Sequence, residues 1–230
     1  MGRRYALRVT SCCNPRGCDE FFTPRLARRA SKRYREKGLD KTARRMVAFL
    51  EQRGIEGATV LEIGGGVGEI QIELLKRGVA RTVNLELSPA YDEEAVRLLH
   101  EAGVEEDAER RLHDIAADPE GVGPADVVVL HRVVCCYPDY ERLLGAAAEH
   151  ARRLVVFSYP ARNWVSRPLI SAQNLFFRFR RKEFRTFAHP PKRMLAVLEE
   201  RGLRPAYAHH PLVWQIAGFE RQRVPPEQMP

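Results

Sequence analysis

The stretch T-V-L-E-I-G-G-G-V-G, residues 59–68, constrains the fold of this chain more than any other. Its first half, residues 59–63, is a short β-branched and apolar run, which is typical of a strand buried on both faces. Glycines follow at every second position, 64, 66 and 68, and apolar residues then recur with helical spacing over residues 69–77. A strand, a glycine loop and a helix in this order predict a place where backbone N–H groups can meet a ligand without obstruction by Cβ atoms.

The spacing of the glycines separates two kinds of nucleotide site. A dinucleotide fingerprint, G-x-G-x-x-G, requires glycine at position 69, and this chain has Glu69 there. The sequence instead reads E-x-G-x-G-x-G from Glu62 to Gly68. The loop is therefore a poor match for NAD or FAD, although a tight structural turn stays open as an alternative.

A second carboxylate, Glu86, directly follows the next predicted strand, Arg81 to Leu85. A carboxylate at the carboxyl end of such a strand can accept hydrogen bonds from both hydroxyl groups of a ribose. The alternative is a structural carboxylate that caps the following turn. We expect the ribose role.

The motif E-x-G-x-G-x-G, followed by Glu86 and then by Asp114, resembles that of the class I S-adenosylmethionine (SAM) dependent methyltransferases. The resemblance covers about residues 40–220. It implies an α/β fold, a doubly wound and mostly parallel sheet of seven strands with an N-terminal helical cap, and it implies SAM as the cofactor.

The same resemblance assigns the residues that bind SAM. It places Glu62 near the methionine end, Asp114 at the adenine amino group and Ile115 beside the adenine ring, after a short predicted strand at Arg111-Leu112. The residues expected to bind the cofactor are Glu62, Gly64, Gly65, Gly66, Gly68, Glu86, Leu87, Asp114, Ile115 and His131.

Within this superfamily the chain is most similar to small-molecule O-methyltransferases of the magnesium-protoporphyrin methyltransferase type. The similarity is carried by Tyr137-Pro138-Asp139, by the strand from Leu154 to Ser158 and by the helix that begins at Pro191. Cys136 stands directly before Tyr-Pro, where that family tends to have histidine. The resemblance implies methyl transfer to a small molecule of anionic or aromatic character, without naming it.

Methyl transfer from a sulfonium depends on alignment of the nucleophile with the methyl group more than on acid–base chemistry. A carboxylate acceptor needs no base, whereas a phenol or thiol needs one. His131, which follows the apolar strand Asp126–Leu130, and Tyr34 are the candidate catalytic residues, with His113 as a further candidate base. A structural role is the alternative for each.

The pattern divides the chain into three parts: residues 1–38, a cysteine-containing segment and basic cap helix; residues 39–220, the SAM-binding domain with a substrate-side insertion at 160–190; and residues 221–230, a tail.

Near the N-terminus, residues 1–22 are predicted to be irregular, and Thr23-Pro24 and Asp40 are predicted to begin two helices. Residues 25–45 contain ten Lys or Arg residues against two acidic ones. They form either a cationic lid over the pocket or a solvated helix face.

Five cysteines offer a different interpretation. If the N-terminal segment folds over the pocket, their thiolates can gather and bind zinc, copper or a trivalent metalloid that is itself methylated. The alternative is a set of small buried thiols, and the odd number is a poor disulfide framework, which favours a reducing compartment. The cysteines are Cys12, Cys13, Cys18, Cys135 and Cys136.

The net charge of +8 indicates an anionic partner. In the insertion, aromatic residues alternate with arginine, a pattern that suits RNA, a bulky anionic substrate or an interfacial helix, or simply the inner face of a helix. An RNA-modifying or RNA-binding protein therefore stays a second, less favoured hypothesis. No apolar run approaches the ~20 residues of a membrane span and the start of the chain lacks a signal-peptide pattern, so a cytoplasmic protein is expected.

Overall fold

A computed structural model describes residues 15–222, and a sheet of seven strands forms their centre. Its order is β3-β2-β1-β4-β5-β7-β6, with β7 antiparallel to both of its neighbours and the other pairs parallel. This confirms the predicted doubly wound, mostly parallel sheet. The strands are β1 Thr59–Ile63, β2 Arg81–Glu86, β3 Ala108–Leu112, β4 Ala125–Leu130, β5 Ala151–Pro160, β6 Leu203–His209 and β7 Trp214–Arg221.

Helices cover both faces of this sheet. Within the described residues they are α1 Pro15–Phe21, α2 Pro24–Lys37, α3 Lys41–Gln52, α4 Glu69–Leu75, α5 Asp92–Ala102, α6 Tyr140–His150, α7 Ser166–Phe179 and α8 Pro191–Glu199. No helix among residues 15–222 is long and apolar enough to cross a membrane.

Strand β4 shows why the sequence carries a continuous apolar run. Val127 and Val129 are fully buried in one hydrophobic cluster, which includes residues of α3 and α4. Val128 and Leu130 are fully buried in the other cluster, which includes residues of α6. Because successive side chains of a strand point to opposite faces, both clusters are filled from one strand.

Helices α2 and α3 begin where the sequence predicts. The Thr23 hydroxyl accepts a hydrogen bond from the Leu26 amide at 3.4 Å, and Asp40 accepts from the amides of Thr42 and Ala43 at 2.8 and 2.9 Å. Side-chain oxygens at these positions satisfy amides that have no partner inside the helix. Both predicted caps are confirmed.

Three boundaries were predicted wrongly. Residues 1–22 were expected to be irregular, but α1 occupies Pro15–Phe21. Strand β3 begins at Ala108 instead of Arg111, because backbone pairing with β2 extends it through a charged edge that shows no apolar pattern. The tail was expected from residue 221, yet Arg221 still belongs to β7.

Candidate functional site

A cavity lies at the carboxyl ends of β1, β2 and β4, where the strand order reverses direction. Open α/β sheets bind ligands at such a switch point. Seven of the ten predicted SAM-binding residues line this cavity: Gly64, Gly66, Glu86, Leu87, Asp114, Ile115 and His131. The other three, Glu62, Gly65 and Gly68, are not among its lining residues.

The glycine loop forms one wall of the cavity. Gly64 and Gly66 have φ angles of 65° and 56°, a region that residues with a Cβ atom rarely adopt. A Cβ atom on Gly64 would lie 2.6 Å from the Cγ2 atom of Val133. This wall therefore presents bare backbone because a side chain at Gly64 has no room.

Glu86 points its carboxylate into the cavity and is held by backbone amides. Its Oε1 atom accepts hydrogen bonds from Leu87 and Ser88 at 2.8 and 3.2 Å, and its Oε2 atom accepts one from Gly66 at 2.9 Å. Burial raises the pKa of Glu86 above its ordinary value, although these three amides oppose the shift. The carboxylate is thus fixed in place and tied to the glycine loop.

Asp114 is fixed in a similar way one strand further along the sheet. Its Oδ1 atom accepts from the amides of Ala116 and Ala117 at 3.1 and 3.3 Å. The Tyr137 hydroxyl lies 3.1 Å from each carboxylate oxygen and donates to them. The neighbouring Ile115 is buried and apolar, so an acceptor and an apolar surface stand side by side.

His131 and Arg132, just beyond β4, form a wall near the glycine loop. The His131 Nδ1 atom lies 3.0 Å from the Ser158 hydroxyl, which also accepts a hydrogen bond from the Arg132 amide at 2.9 Å. Arg132 has a φ angle of 59°, unusual for a residue with a side chain. The buried serine of β5 therefore holds both residues in this conformation.

Asp40 completes this wall from the start of α3. Its Oδ2 atom lies 2.8 Å from Arg132 Nη2 and 3.4 Å from His131 Nε2. Burial alone would raise the pKa of Asp40, but the charge of the nearby His131 ring, the Ala43 amide and Arg132 together bring it well below its ordinary value. The Arg132 guanidinium also lies 4.8 Å from the centre of the Trp214 ring.

Glu62 lies behind the loop and not in the cavity. It is 1% exposed, and a Cβ atom on Gly65 would come within 2.5 Å of its carboxyl carbon and 2.4 Å of Asn84 Nδ2. Its Oε2 atom has no hydrogen-bond partner among residues 15–222. Burial, with the nearby charge of Glu69, raises the pKa of Glu62 to about 8.

Tyr34 also lies away from the residues that line the cavity. Its hydroxyl donates to Glu73 Oε1 at 2.7 Å, between α2 and α4. Burial and the Glu73 carboxylate raise the pKa of Tyr34 above its ordinary value. The geometry gives it a role in fastening the cap helix.

The cysteines are only partly brought together. Cys18 and Cys136 both line the cavity, and the Cys135 and Cys136 sulfur atoms are 3.5 Å apart. Cys12 and Cys13 lie outside the described residues. The predicted metal or metalloid cluster stays a prediction.

Among residues 15–222, the group of three metal-ligating side chains with donor atoms within 4.8 Å of one another is Asp40, Glu69 and His131. Arg132 contacts Asp40, and Arg33 Nη2 lies 3.0 Å from both carboxylate oxygens of Glu69. Two guanidinium groups already neutralise this cluster and would repel a cation. It is an ion-pair network that joins the cap to the glycine loop.

Several residues of the site carried no sequence signal. Phe22 and Tyr91 line the cavity, but an aromatic residue in a loop or at a helix start has many uses. Ser158 did offer a signal, because it is a polar residue within the apolar run from Leu154 to Pro160 of β5, and it is fully buried. Such a residue needs a partner, and here the partners are His131 and Arg132.

Comparison with known families identifies the class of protein. A family model described as "Methyltransferase domain" matches residues 31–213. The chain therefore belongs to this methyltransferase family and is a class I SAM-dependent methyltransferase. The predicted fold, enzyme class and cofactor are confirmed. No match was found among curated proteins.

Solved structures with the same fold share little sequence with this chain. Magnesium protoporphyrin IX methyltransferase from Synechocystis PCC 6803, with bound SAH, is 18% identical over 88% of this chain and 97% of its own, with a TM-score of 0.70. An O-methyltransferase family protein from Burkholderia thailandensis is 19% identical over 84% and 60%, with a TM-score of 0.64. An N-methyltransferase from Bradyrhizobium japonicum WM9 in complex with SAH is 14% identical over 80% and 87%, with a TM-score of 0.60. At these identities the likeness shows the fold alone.

Proposed function

We propose that this enzyme transfers the methyl group of SAM to a small anionic molecule with an aromatic or apolar body. The observation that carries the proposal is the convergence of Glu86 and Asp114 on one cavity whose wall is the bare backbone of Gly64 and Gly66. Two fixed carboxylates beside an unobstructed loop suit a nucleoside with a short zwitterionic arm.

The residues present fit SAM. Glu86 would accept from the two ribose hydroxyls, Asp114 from the adenine amino group, and Ile115 and Leu87 would pack against the rings. Gly64 and Gly66 would lie along the methionine part. When bound, SAM supplies a methyl group on a sulfonium with a good leaving group, so the protein's part is to align the acceptor and exclude water.

The rest of the cavity wall describes the acceptor. Phe22 and Tyr91 offer aromatic surface, and Cys136 is small and weakly polar. Arg132 also lines the cavity, and its guanidinium has five N–H donors, so it has donors left for an anionic group besides its contact with Asp40. Burial, with the charges of Glu86 and Cys136, raises the pKa of Tyr91 to about 12, so its hydroxyl stays protonated. An aromatic body and a negatively charged group match this wall.

The names of two solved relatives support this acceptor class, because each includes an aromatic molecule. One acts on magnesium protoporphyrin IX, and an O-methyltransferase family 2 protein from Planctomyces limnophilus DSM 3776 was crystallised with apigenin. Both of these molecules are aromatic. This support rests on analogy between proteins of one fold.

His131 supports a carboxylate as the accepting group. It lines the cavity, yet its two ring nitrogens already face Ser158 and Asp40. A ring whose Nδ1 atom meets Ser158, and whose Nε2 atom faces the Asp40 carboxylate at 3.4 Å without a hydrogen bond among the described residues, is placed to position the wall and not to remove a proton from a phenol. A carboxylate acceptor is already a nucleophile at neutral pH and needs no base.

Methyl transfer from SAM with a labelled methyl group tests this proposal against matched acceptors. The panel is an aromatic carboxylate, the corresponding phenol, the corresponding thiol, and arsenite. We expect label in the carboxylate product, and we expect mild alkali to release it, because methyl esters hydrolyse under those conditions. Label found only in the phenol, the thiol or arsenite would contradict the proposal.

A further inference from the structure

The apolar surface of this protein is concentrated in one place. Among residues 15–222 nine large hydrophobic side chains are exposed, and seven of them lie on α7, on the turn before it or on the loop between β6 and β7. The extremes are Trp164, 83% exposed, and Phe179, 84% exposed. The seven are Trp164, Leu169, Leu175, Phe176, Phe179, Leu212 and Val213, and we call them the α7 face.

Hydrogen bonds join the two segments of the α7 face. The Asn163 side chain donates to the Leu212 carbonyl, and the Ala161 amide donates to the Val213 carbonyl, each at 2.8 Å. Residue 163 is thus held to the β6–β7 loop, next to Trp164, and the other exposed apolar residues continue from Trp164 along α7. Patches of this kind on a monomer mark interaction sites.

Helix α7 already has a separate face for the protein core. Phe177 is buried and packs against Phe21 and Phe184, with ring centres 5.5 and 5.7 Å apart. Leu169, Phe176 and Phe179 follow the spacing of a second stripe and stay exposed. The exposed stripe is not needed to hold the helix on the protein.

Arginines flank the α7 face, and within residues 15–222 they have no carboxylate partners. Arg162, Arg167, Arg178, Arg180 and Arg181 are all exposed, and the sequence contains no acidic residue from Ala151 to Lys182. Within the described part of the chain, none of these five forms an ion pair with a carboxylate. Their charge is available to a partner.

On the other basic helix, α2, two arginines form ion pairs with carboxylates of the protein. Arg33 contacts Glu69 at 3.0 Å, and Arg35 contacts Glu101 at 2.7 Å. Both helices are rich in arginine, but these arginines of α2 are used inside the protein.

We propose that the α7 face binds the surface of an anionic lipid bilayer. Trp164, Phe176 and Phe179 lie at the level where aromatic and aliphatic side chains enter the boundary between headgroups and acyl chains. The flanking arginines extend to lipid phosphates, with their apolar stems along the same surface. The helix lies in the plane of the interface and does not cross it.

Two other occupants fit the α7 face less well. RNA would use the arginines and aromatic rings, but it has no use for the exposed aliphatic residues Leu169, Leu175 and Leu212, which cannot stack on bases as rings do. A second copy across a two-fold axis would bring the same patch onto itself. The flanking arginines of one copy would therefore face the same arginines of the other copy, and these like charges would repel each other.

Vesicle sedimentation tests the proposal with the full chain. Vesicles of phosphatidylcholine alone are compared with vesicles that contain about 30% phosphatidylglycerol, which supplies an anionic surface. We expect binding to the anionic vesicles at least about tenfold stronger than to the neutral ones, and weaker at high salt.

Two pairs of variants separate apolar from electrostatic contributions. Phe176→Ser with Phe179→Ser, and Arg178→Glu with Arg180→Glu, should each lower binding by about tenfold or more. The matched controls are Val96→Ser with Leu112→Ser, exposed apolar residues elsewhere, and Arg28→Glu with Arg29→Glu on α2. The controls should change binding by no more than about twofold, and all variants should keep the wild-type melting temperature.

Several results would overturn the proposal. One is the absence of vesicle binding by the wild type. Another is equal loss in the α2 control pair, which would reduce the effect to net charge. Sedimentation velocity that shows a dimer dissociated by Phe176→Ser with Phe179→Ser would assign the α7 face to a second copy. Salt-dependent binding to single-stranded RNA, in the absence of vesicle binding, would assign it to nucleic acid.

Discussion

Glu62 and Glu86 come from neighbouring parallel strands, β1 and β2, and both were expected to bind the cofactor. Glu86 is the last residue of its strand and opens into the cavity, where three backbone amides hold its carboxylate. Glu62 stands one residue before the end of its strand and lies under the glycine loop, with one oxygen lacking a partner in the described part of the chain. In the register of the two strands Glu62 lies level with Asn84, so Glu86 stands two positions further along and lines the cavity, whereas Glu62 lies under the loop.

The difference follows from position along the strands and not from the face of the sheet, because residues two apart on a strand share a face. Ile63 and Leu85 pair in the sheet and belong to one hydrophobic cluster, so Glu62 and Glu86 share the opposite face. Glu62 lies beside Gln71 and Asn84, whereas Glu86 lies further along that face, next to the Gly66 amide. The acidic residue of the glycine motif therefore lies under the loop and outside the cavity lining, whereas Glu86 is among the lining residues.

The largest effect is expected from Glu86. Glu86→Ala removes the proposed acceptor for both ribose hydroxyls and frees the Gly66 amide. Hydrogen bonds to a charged group contribute about 1.5–3 kcal/mol each, so we expect the Kd for SAH to rise by at least about a hundredfold. Calorimetry measures the change, with Glu93→Ala, an exposed glutamate of α5, as the matched control.

A Glu86→Ala protein that keeps its fold and the wild-type affinity for SAH would contradict the proposed difference between Glu86 and Glu62. Glu62→Gln should, by contrast, leave the Kd within about threefold, because the side chain lies behind the loop.

The raised pKa of Glu62 should change the pH dependence of the free energy of unfolding. Burial raises its pKa to about 8, so between its ordinary value and pH 8 the folded state holds a proton that the unfolded state has lost. The free energy of unfolding therefore decreases as pH rises through this window. Glu62→Gln should be more stable than wild type at pH 8.5 by up to a few kcal/mol, and by much less at pH 5.

Urea unfolding at the two pH values measures this difference. A slope with pH will persist in the variant, because the pKa of Glu86 is raised as well and acts in the same direction. An identical pH dependence in wild type and Glu62→Gln would show that Glu62 is ionised in the folded state.

Gly65 tests how tightly the loop covers the buried carboxyl group. Gly65→Ala would place a Cβ atom 2.4 Å from Asn84 Nδ2 and 2.5 Å from the Glu62 carboxyl carbon. We expect a loss of about 1–3 kcal/mol in the free energy of unfolding. Gly123→Ala is the control, since no atom lies within 4 Å of its added Cβ, and it should be nearly neutral.

Asp114 should give the smallest change. Asp114→Asn keeps one carbonyl oxygen for the adenine amino group and for Tyr137 but loses the charge. We expect the Kd for SAH to rise by about tenfold, the loss of about one charge-assisted hydrogen bond. Tyr137→Phe, which removes the donor that fixes Asp114, should fall between wild type and this variant.

The sequence predicted those parts of the site that depend on local pattern. The glycine loop, Glu86 and Asp114 each follow a strand whose end is marked by its own residues, and the Asp40 cap is a local signal too. The remaining features depend on contacts between distant segments. Phe22 reaches the cavity from a region predicted to be irregular, and the level of Glu62 relative to Glu86 is set by the pairing of β1 with β2.

The most direct test of the central claim is isothermal titration of the wild-type protein with SAH, repeated with Glu86→Ala. The claim is that Glu86 and Asp114 hold the nucleoside against the bare backbone of the glycine loop. We predict binding of one molecule per chain to the wild type and its loss in the variant, while both keep the same circular dichroism spectrum. No heat of binding to well-folded wild type, or equal binding to both proteins, would contradict this account.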